Sequence, residues 1–228
     1  MKVAAIQSNY IPWKGYFDMI NSVDLFVFYD DVQYTTRDWR SRNQIKTSNG
    51  LKWLTIPVSS KRTQKIYEVK IPDNYWQKKH WQSIVHNYSK AKYFKQYKSF
   101  FEEIYLQTTW KNLSQFNQFV IKKISREILD IQTEFIDSRE YNLIGTKEER
   151  ILDLLTKCSA TEYLSGPSAK SYLKEDFLQQ KGIELIWMDF NEYPEYNQLH
   201  PPFQHYVSII DLIFNEGSSS KNFMKSFS

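Results

Sequence analysis

Short apolar runs alternate with amphipathic segments along most of the chain. Strand-like runs occupy residues 3–6, 24–31, 133–138, 160–166 and 182–190. Apolar positions with helical spacing begin at Tyr16, after the first run, and recur over residues 146–158. This succession of strands and helices predicts an α/β fold with a Rossmann-like, mainly parallel sheet flanked by helices.

Two segments depart from this succession. Residues 51–58 and 65–72 each alternate between apolar and polar positions, which predicts a β-hairpin or an edge pair. Residues 74–130 have helical spacing and predict a mostly helical insertion. Because the chain has 228 residues, we expect a single α/β domain over residues 1–217 and a frayed tail over residues 218–228.

The loop after the first strand combines polar and aromatic side chains. Pro12 cannot continue the strand, and Gly15 precedes the first helix. In an open α/β sheet such a loop borders the usual ligand site, and the next helix points its N–H groups there. The expected substrate contacts in this loop are Gln7, Asn9, Tyr10, Trp13 and Tyr16. The alternative is that Trp13 and Tyr16 are core aromatics that fix the helix to the sheet.

The second strand also ends in a polar loop. Asp30 and Asp31 are adjacent, so their side chains point to opposite faces if the strand continues, and at most one of them enters the site. A carboxylate there could act as a base, and arginine forks bind carboxylate or phosphate. The candidates in this loop are Asp30, Asp31, Gln33, Arg37, Arg40, Arg42 and Asn43. The alternative is a salt-bridged surface loop.

His80 is the best general-base candidate by its position on a predicted helix. Trp76, His80, Ile84 and Tyr88 recur every four residues, so His80 shares a helix face with aromatic neighbours. A packed, hydrogen-bonded histidine is the alternative.

Two later loops add candidate contacts at the same sheet edge. Ser165, Gly166 and Ser168 lie where a strand ends and a helix begins, which is typical of an anion site and equally of an ordinary tight turn. His200 lies in a proline-rich loop before the last helical pattern and is a further candidate.

Composition narrows the function classes. The chain has only 6 glycines and neither a GxGxxG nor a GxxxxGK[ST] motif, so dinucleotide-binding and P-loop functions are disfavoured. The lone Cys158 cannot form an intramolecular disulfide, and no CxxC, HxxxH or HExxH motif indicates a metal site. We expect no cofactor. Without a signal-peptide pattern or a long apolar run, we expect a cytoplasmic protein.

Charge is uneven along the chain. The net charge is +4, but residues 61–98 hold ten Lys or Arg residues against two acids, a local charge of +8. Such a stretch suits an anionic ligand, and a solvated helix face explains it equally well.

Five ordered segments carry a family resemblance. QSNYIPWKGYFDMI, DLFVFYDDVQYTTRDWRSRNQIK, HWQSIVHNYSKAKYF, ATEYLSGPSAKSYL and HPPFQHYVSIIDLIFNEG resemble the WbqC-like family of bacterial proteins. Family members commonly lie in gene clusters for O-antigen and other surface polysaccharides. The resemblance implies acyl or aminoacyl transfer to the amino group of a nucleotide-linked amino sugar, with an acyl or aminoacyl carrier as a further partner. An oligomer is compatible with it.

A second likeness concerns the opening turn. Adenylyl-transferring nucleotidyltransferases have an HxGH motif at this junction, whereas this chain has Trp13-Lys14-Gly15-Tyr16. The missing histidines argue against adenylyl transfer. A non-catalytic nucleotide or nucleotide-sugar binding module of the same pathway is therefore the alternative to a transferase. Nucleic-acid binding is disfavoured, because no RRM, KH or zinc-finger pattern accompanies the basic stretch.

For the transferase, we assign roles by residue type. His80 or Asp31 would be the base, and Arg37, Arg40 and Arg42 would hold an anionic group. Tyr10, Trp13 and Tyr16 would form the platform for the sugar or the base.

Overall fold

A five-stranded parallel sheet forms the centre of the protein. The computed structural model describes residues 1–61 and 63–227. The strands of this sheet are β1 (Lys2–Ile6), β2 (Leu25–Phe28), β5 (Glu134–Asp137), β6 (Glu162–Ser165) and β7 (Glu184–Trp187). Their order in the sheet is β5-β2-β1-β6-β7, and every neighbouring pair is parallel. The predicted α/β fold with a Rossmann-like parallel sheet is confirmed.

Helices cover both faces of this sheet. Successive strand residues alternate between two buried clusters, with Ala4 and Phe26 in one and Val3 and Leu25 in the other. The helices are α1 (Lys14–Asn21), α2 (Tyr75–Tyr88), α3 (Phe94–Glu102), α4 (Leu113–Glu127), α5 (Lys147–Lys157), α6 (Glu175–Gln179) and α7 (Ile209–Glu216). Residues of α1, α2, α3, α4 and α7 contribute to the larger cluster, and residues of α5 and α6 contribute to the smaller one.

The chain changes direction across the sheet at β1. β2 pairs with one side of β1 and β6 pairs with the other, so the loops that follow β1 and β6 lead away from each other. In open α/β sheets such a switch point opens a crevice at the carboxyl ends of the strands, where ligands bind. We therefore expect the ligand site among the loops that follow β1, β6 and β7.

The helical insertion lies between the β-hairpin and β5. It comprises α2, α3 and α4, and a π-helical turn (Glu103–Gln107) continues α3. Trp76, Ile84 and Tyr88 are buried on one face of α2, as their spacing predicts.

The predicted hairpin partners were wrong. β3 (Arg42–Thr47) pairs antiparallel with β4 (Gly50–Thr55), while residues 65–72 contain a 3-10 turn (Ile66–Glu68) and isolated bridges. Gly50 closes the turn at a φ of 101°, a conformation that glycine adopts without strain. The Asn49-Gly50 pair is a strong hairpin signal, and it specifies the shorter, local pairing.

The C-terminal segment is packed against the domain, in contrast to the frayed tail that the sequence predicts. Residues after α7 form two 3-10 turns (Gly217–Phe223 and Lys225–Phe227), and Met224 is buried. The backbone N–H of Ser226 donates to the buried Asp18 carboxylate at 2.7 Å. Asp18 needs such a donor, because an unpaired buried carboxylate is costly. Ser228 of this tail and Arg62 of the basic stretch lie outside the described residues.

Within residues 1–61 and 63–227, no helix combines the length and the apolar character that crossing a membrane requires.

Candidate functional site

A cleft with two lobes lies at the carboxyl edge of the sheet. The aromatic lobe is a cavity of about 240 Å³, lined by Asn9, Pro12, Trp13, Trp39, Asn43, Phe190 and Tyr206. The second lobe has a volume of about 440 Å³ and is lined by Trp13, Pro167, Lys170, Trp187, Met188, Asp189, Phe190, Asn191 and Tyr206. The two lobes share Trp13, Phe190 and Tyr206. The cleft thus uses the loops after β1, β6 and β7, as the switch point requires.

Trp13 forms the wall between the lobes. Its ring centroid lies 5.4 Å from that of Phe190 and 5.0 Å from that of Tyr206. The indole folds back over Gly15, where a Cβ would lie 2.3 Å from Cζ2 of Trp13. Glycine at position 15 is therefore required for this position of the Trp13 ring.

Asn43 fixes the loop that carries the aromatic lobe. Its side-chain amide donates to the carbonyl groups of Tyr10 (3.0 Å) and Ile11 (2.9 Å). Ile11 has a φ of 35°, a strained conformation for a β-branched residue that persists only when its surroundings enforce it. Asn43 thus lines the lobe and also holds the backbone turn open.

The three candidate arginines of the second loop have different surroundings. Arg40 donates to the side-chain oxygens of Asn9 (3.0 Å) and Gln7 (3.1 Å), so it supports the β1 loop from behind. Arg37 is exposed, at a φ of 57°. Arg42 lies over the ring of Trp53, with 4.2 Å between its guanidinium carbon and the ring centroid.

Asp30 and Asp31 point to opposite sides of the sheet, as their adjacency predicts. Asp30 is fully buried and accepts hydrogen bonds from the backbone of Ser8 (2.8 Å), the hydroxyl of Ser114 and the side chain of Gln118 (3.0 Å). Asp31 accepts a hydrogen bond from the hydroxyl of Ser138 at 2.7 Å. It also forms an ion pair with Arg150 of α5. Neither carboxylate lines the cleft.

His80 lies in the aromatic core of the insertion. Its Nδ1 shares a hydrogen bond with the hydroxyl of Tyr10 (2.8 Å), which in turn bonds the hydroxyl of Tyr105 (2.6 Å). Burial lowers the pKa of His80 from 6.5 to about 4, so the ring is neutral at physiological pH. His80 lines a separate depression with Trp76 and Lys79, and the cleft lies elsewhere.

The remaining candidates are dispersed. Tyr16 is buried and donates to the carbonyl of Gln7 at 3.0 Å. Gln33 and Ser168 are exposed, and neither lines the cleft. The Nε2–H of His200 donates to the carbonyl of Asn87 at 3.1 Å.

The loop after β6 contributes to the second lobe through other residues than expected. Ser165 is buried and Gly166 is half-buried, while Pro167 and Lys170 line the lobe. Of the predicted contacts, the structure thus brings together Asn9, Trp13 and Asn43 around the cleft, with Gln7 and Arg40 behind them.

Sequence reasoning missed most of the residues that line the cleft, including Trp39, Phe190, Tyr206 and Lys170. Trp39 lies within the second polar loop, whose charged residues give the stronger signal. Phe190 directly follows the last predicted strand, so the strand-end rule could have found it. Tyr206 and Lys170 carry no local signal and reach the cleft through the tertiary fold.

A buried lysine lies directly behind the cleft wall. Lys14 donates to the carbonyl of Pro194 at 2.7 Å, and its Nζ lies 5.3 Å from the ring centroids of both Tyr193 and Tyr196. Burial lowers the pKa of Lys14 from 10.5 to about 8. The Tyr193 ring also packs on Trp13, with centroids 5.5 Å apart. Lys14 therefore holds the segment that follows Phe190 against the cleft.

Among the described residues, no group of three or more His, Cys, Asp or Glu side chains is arranged to hold a metal ion.

The fold and the cleft define an α/β protein whose ligand crevice lies at the switch point of a parallel sheet. The chain belongs to the WbqC-like protein family, whose model matches residues 7–223. Membership points to a role in a polysaccharide-related pathway. The chain is 45% identical over 226 residues to "Uncharacterized protein Rv1507c" of Mycobacterium tuberculosis (strain ATCC 25618 / H37Rv), covering 98% of this chain and 97% of that protein. No solved structure matches the chain.

Proposed function

We propose that the protein is a transferase of surface-polysaccharide precursor biosynthesis. In this proposal it transfers an acyl or aminoacyl group to the amino group of a nucleotide-linked amino sugar. The observation that carries the proposal is the cleft, which has four aromatic walls and two asparagine side chains at the switch point. Family membership supports the choice of pathway, and the cleft supports the location of the site.

The composition of the aromatic lobe suits a sugar ring or a nucleobase. Trp13, Trp39, Phe190 and Tyr206 offer ring faces for stacking, and Asn9 and Asn43 offer groups that can bond hydroxyl or carbonyl oxygens. The second lobe adds Lys170 and Asp189, so a ligand with an apolar part and a charged part can occupy both lobes.

Transfer forms a bond between the amine nitrogen and the acyl carbon. The bond from that carbon to the carrier oxygen or sulfur breaks, the amine loses one proton, and the carrier leaves as an alcohol or a thiol. Positioning the two reactants together can supply much of the acceleration of such a step.

Proton transfer within the cleft has few candidates. Asp189 is a carboxylate that lines the second lobe, and hydrogen bonds from Lys225 and Asn191 lower its pKa to about 2. Such a carboxylate is a weak base. The proposal therefore rests on binding and orientation in the cleft rather than on a strong general base. The assignment of His80, Asp30 or Asp31 as the base stays a prediction.

The test is a direct assay of the purified protein. Nucleotide-linked amino sugars are combined with acyl and aminoacyl thioesters, and the products are identified by mass spectrometry. We expect an N-acylated nucleotide sugar, and we expect Trp13→Ala to abolish its formation while Tyr75→Ala, at an exposed position outside both lobes, leaves it intact. If no combination gives a product, the proposed transferase activity fails.

A non-catalytic nucleotide or nucleotide-sugar binding module is the second candidate. The observation that favours it is the state of the three predicted acid–base residues, since His80, Asp30 and Asp31 all have internal hydrogen-bond partners and lie outside the cleft. This candidate predicts tight nucleotide-sugar binding without turnover. Alanine substitution at His80 or Asp31 should then leave the affinity of the folded variant unchanged.

A further inference from the structure

Arg42 presents a guanidinium without an acceptor close to the aromatic lobe. Its Nε is buried and has no hydrogen-bond partner. The Arg42 side chain contacts the Trp53 ring, with 4.2 Å between its guanidinium carbon and the ring centroid. It forms no hydrogen bond or ion pair with residues 1–61 or 63–227. A buried N–H group without an acceptor leaves hydrogen-bonding capacity unused, which is unfavourable.

Three other arginines in the protein have acceptors. Arg40 bonds two side-chain oxygens, Arg126 bonds the backbone carbonyl of Thr133 at 2.7 Å, and Arg150 pairs with Asp31. The absence of an internal acceptor therefore distinguishes Arg42 from arginines that serve the fold.

Arg42 and the cleft are connected by stacked aromatic rings. Trp53 lies on β4 opposite Gln44, on the face of the hairpin that also carries Arg42. The centroid of the Trp53 ring lies 5.4 Å from that of Trp39, which lines the aromatic lobe. Trp39 and Trp53 are 42% and 41% exposed, so this surface is open to a ligand.

We propose that Arg42, in contact with the Trp53 ring, binds the diphosphate of a ligand whose ring occupies the aromatic lobe. A planar guanidinium bonds two phosphate oxygens at once, and the indole beneath it fixes its orientation. The hairpin supports the charge preference, because the segment from Trp39 to Trp53 contains Arg40, Arg42, Lys46 and Lys52 and no acid. This inference rests on the proposed function for the class of ligand, and it does not require turnover.

The experiment compares phosphate-bearing probes with a probe that lacks phosphate. Binding of UDP, inorganic pyrophosphate and uridine to the full chain is measured by isothermal titration calorimetry, with acetate as a carboxylate control. The variants are Arg42→Lys, which keeps the charge without the planar fork, and Arg42→Met, which removes both. Lys111→Met is the matched control, because Lys111 is an exposed cation that lines neither lobe.

We expect Arg42→Met to weaken UDP binding by about 10- to 100-fold, the loss of one or two charge-assisted hydrogen bonds. Arg42→Lys should weaken it by a smaller factor, and uridine affinity should change less than about twofold in every variant. Lys111→Met should bind UDP like the unmodified protein. Melting temperatures identify any variant that fails to fold, and Arg42→Lys then carries the comparison.

Equal losses for the Arg42 and Lys111 variants would overturn the inference. So would an equal loss of uridine affinity, or an absence of UDP and pyrophosphate binding to the unmodified protein. Binding of acetate as tight as that of pyrophosphate would also overturn it, since the site would then select carboxylates. If pyrophosphate binds through Arg42 and no nucleotide sugar is acylated, the diphosphate site stands and the proposed transferase falls.

Discussion

Replacing Gly15 with alanine tests the construction of the cleft wall. The new Cβ would lie 2.3, 2.5 and 2.8 Å from three atoms of the Trp13 ring. Ordinary carbon–carbon contacts are about 3.5 Å or longer, so the ring must move by roughly 1 Å or more. Phe190, Tyr193 and Tyr206 surround the indole and restrict where it can go.

The expected effect on stability is small because two terms oppose each other. Alanine in a helix is favoured over glycine by about 1 kcal/mol. Overpacking of a buried ring costs about 1–3 kcal/mol. The free energy of unfolding should therefore fall by no more than about 2 kcal/mol. Affinity for the cleft ligand should fall much more, by at least tenfold, because a ring displaced by 1 Å changes the shape of both lobes.

The assay pairs urea denaturation with calorimetric titration of the nucleotide-linked sugar that binds the unmodified protein most tightly. Gly145→Ala is the control, because Gly145 has a φ of 80°, and a Cβ there would lie 3.1 Å from the Cβ of Glu149, outside both lobes. It should lower stability and leave affinity unchanged. Unchanged affinity in Gly15→Ala would show that Trp13 does not shape the ligand site.

Three further predictions concern buried polar groups. Lys14→Met should be more stable than the unmodified protein at pH 7, because the Lys14 amine is charged there in both the folded and the unfolded state, and its burial in the folded state is unfavourable. The stability advantage of the variant should shrink by about 1–2 kcal/mol as pH rises from 8 towards 10.5, because the folded amine deprotonates first. A stability difference that does not vary with pH in urea denaturation would contradict this prediction. Asp211→Ala should lower the free energy of unfolding by about 2–4 kcal/mol, since it leaves the hydroxyls of Tyr88 and Tyr196 without their acceptor; a loss below about 1 kcal/mol would argue against that network. With a folded pKa of about 4, His80 should make the protein lose stability as pH falls from 6.5 to 4, and His80→Asn should flatten that dependence in thermal melts; an equally steep fall in the variant would show that other groups cause it.

The strand and helix pattern was predictable because it depends on local periodicity. The apolar run before Pro12 and the helical spacing after Gly15 are properties of neighbouring residues, and they located β1, α1 and the loop between them. The hairpin was predictable too, because Asn49-Gly50 is a turn signal between its two strands. The apolar–polar alternation of residues 65–72 competes with this signal and indicates the wrong partner strand.

The side-chain arrangement of the cleft depended on residues distant in sequence. Trp13 reaches its position through contacts with Phe190 and Tyr206, nearly two hundred residues later. His80 was placed on the correct face of its helix, but the spacing could not reveal that the face opposes Tyr10. Asp18 gave no sign that it would bind the C-terminal segment, because its burial is a consequence of the whole fold.

We expect the ligand to bind between Trp13 and Trp39 at the carboxyl edge of the sheet. A crystal structure of the protein soaked with a nucleotide-linked amino sugar would locate the ligand. The expected result is a ring in the aromatic lobe, stacked on at least one of these two indoles. Ligand density in the depression beside His80, with the aromatic lobe unchanged, would contradict it.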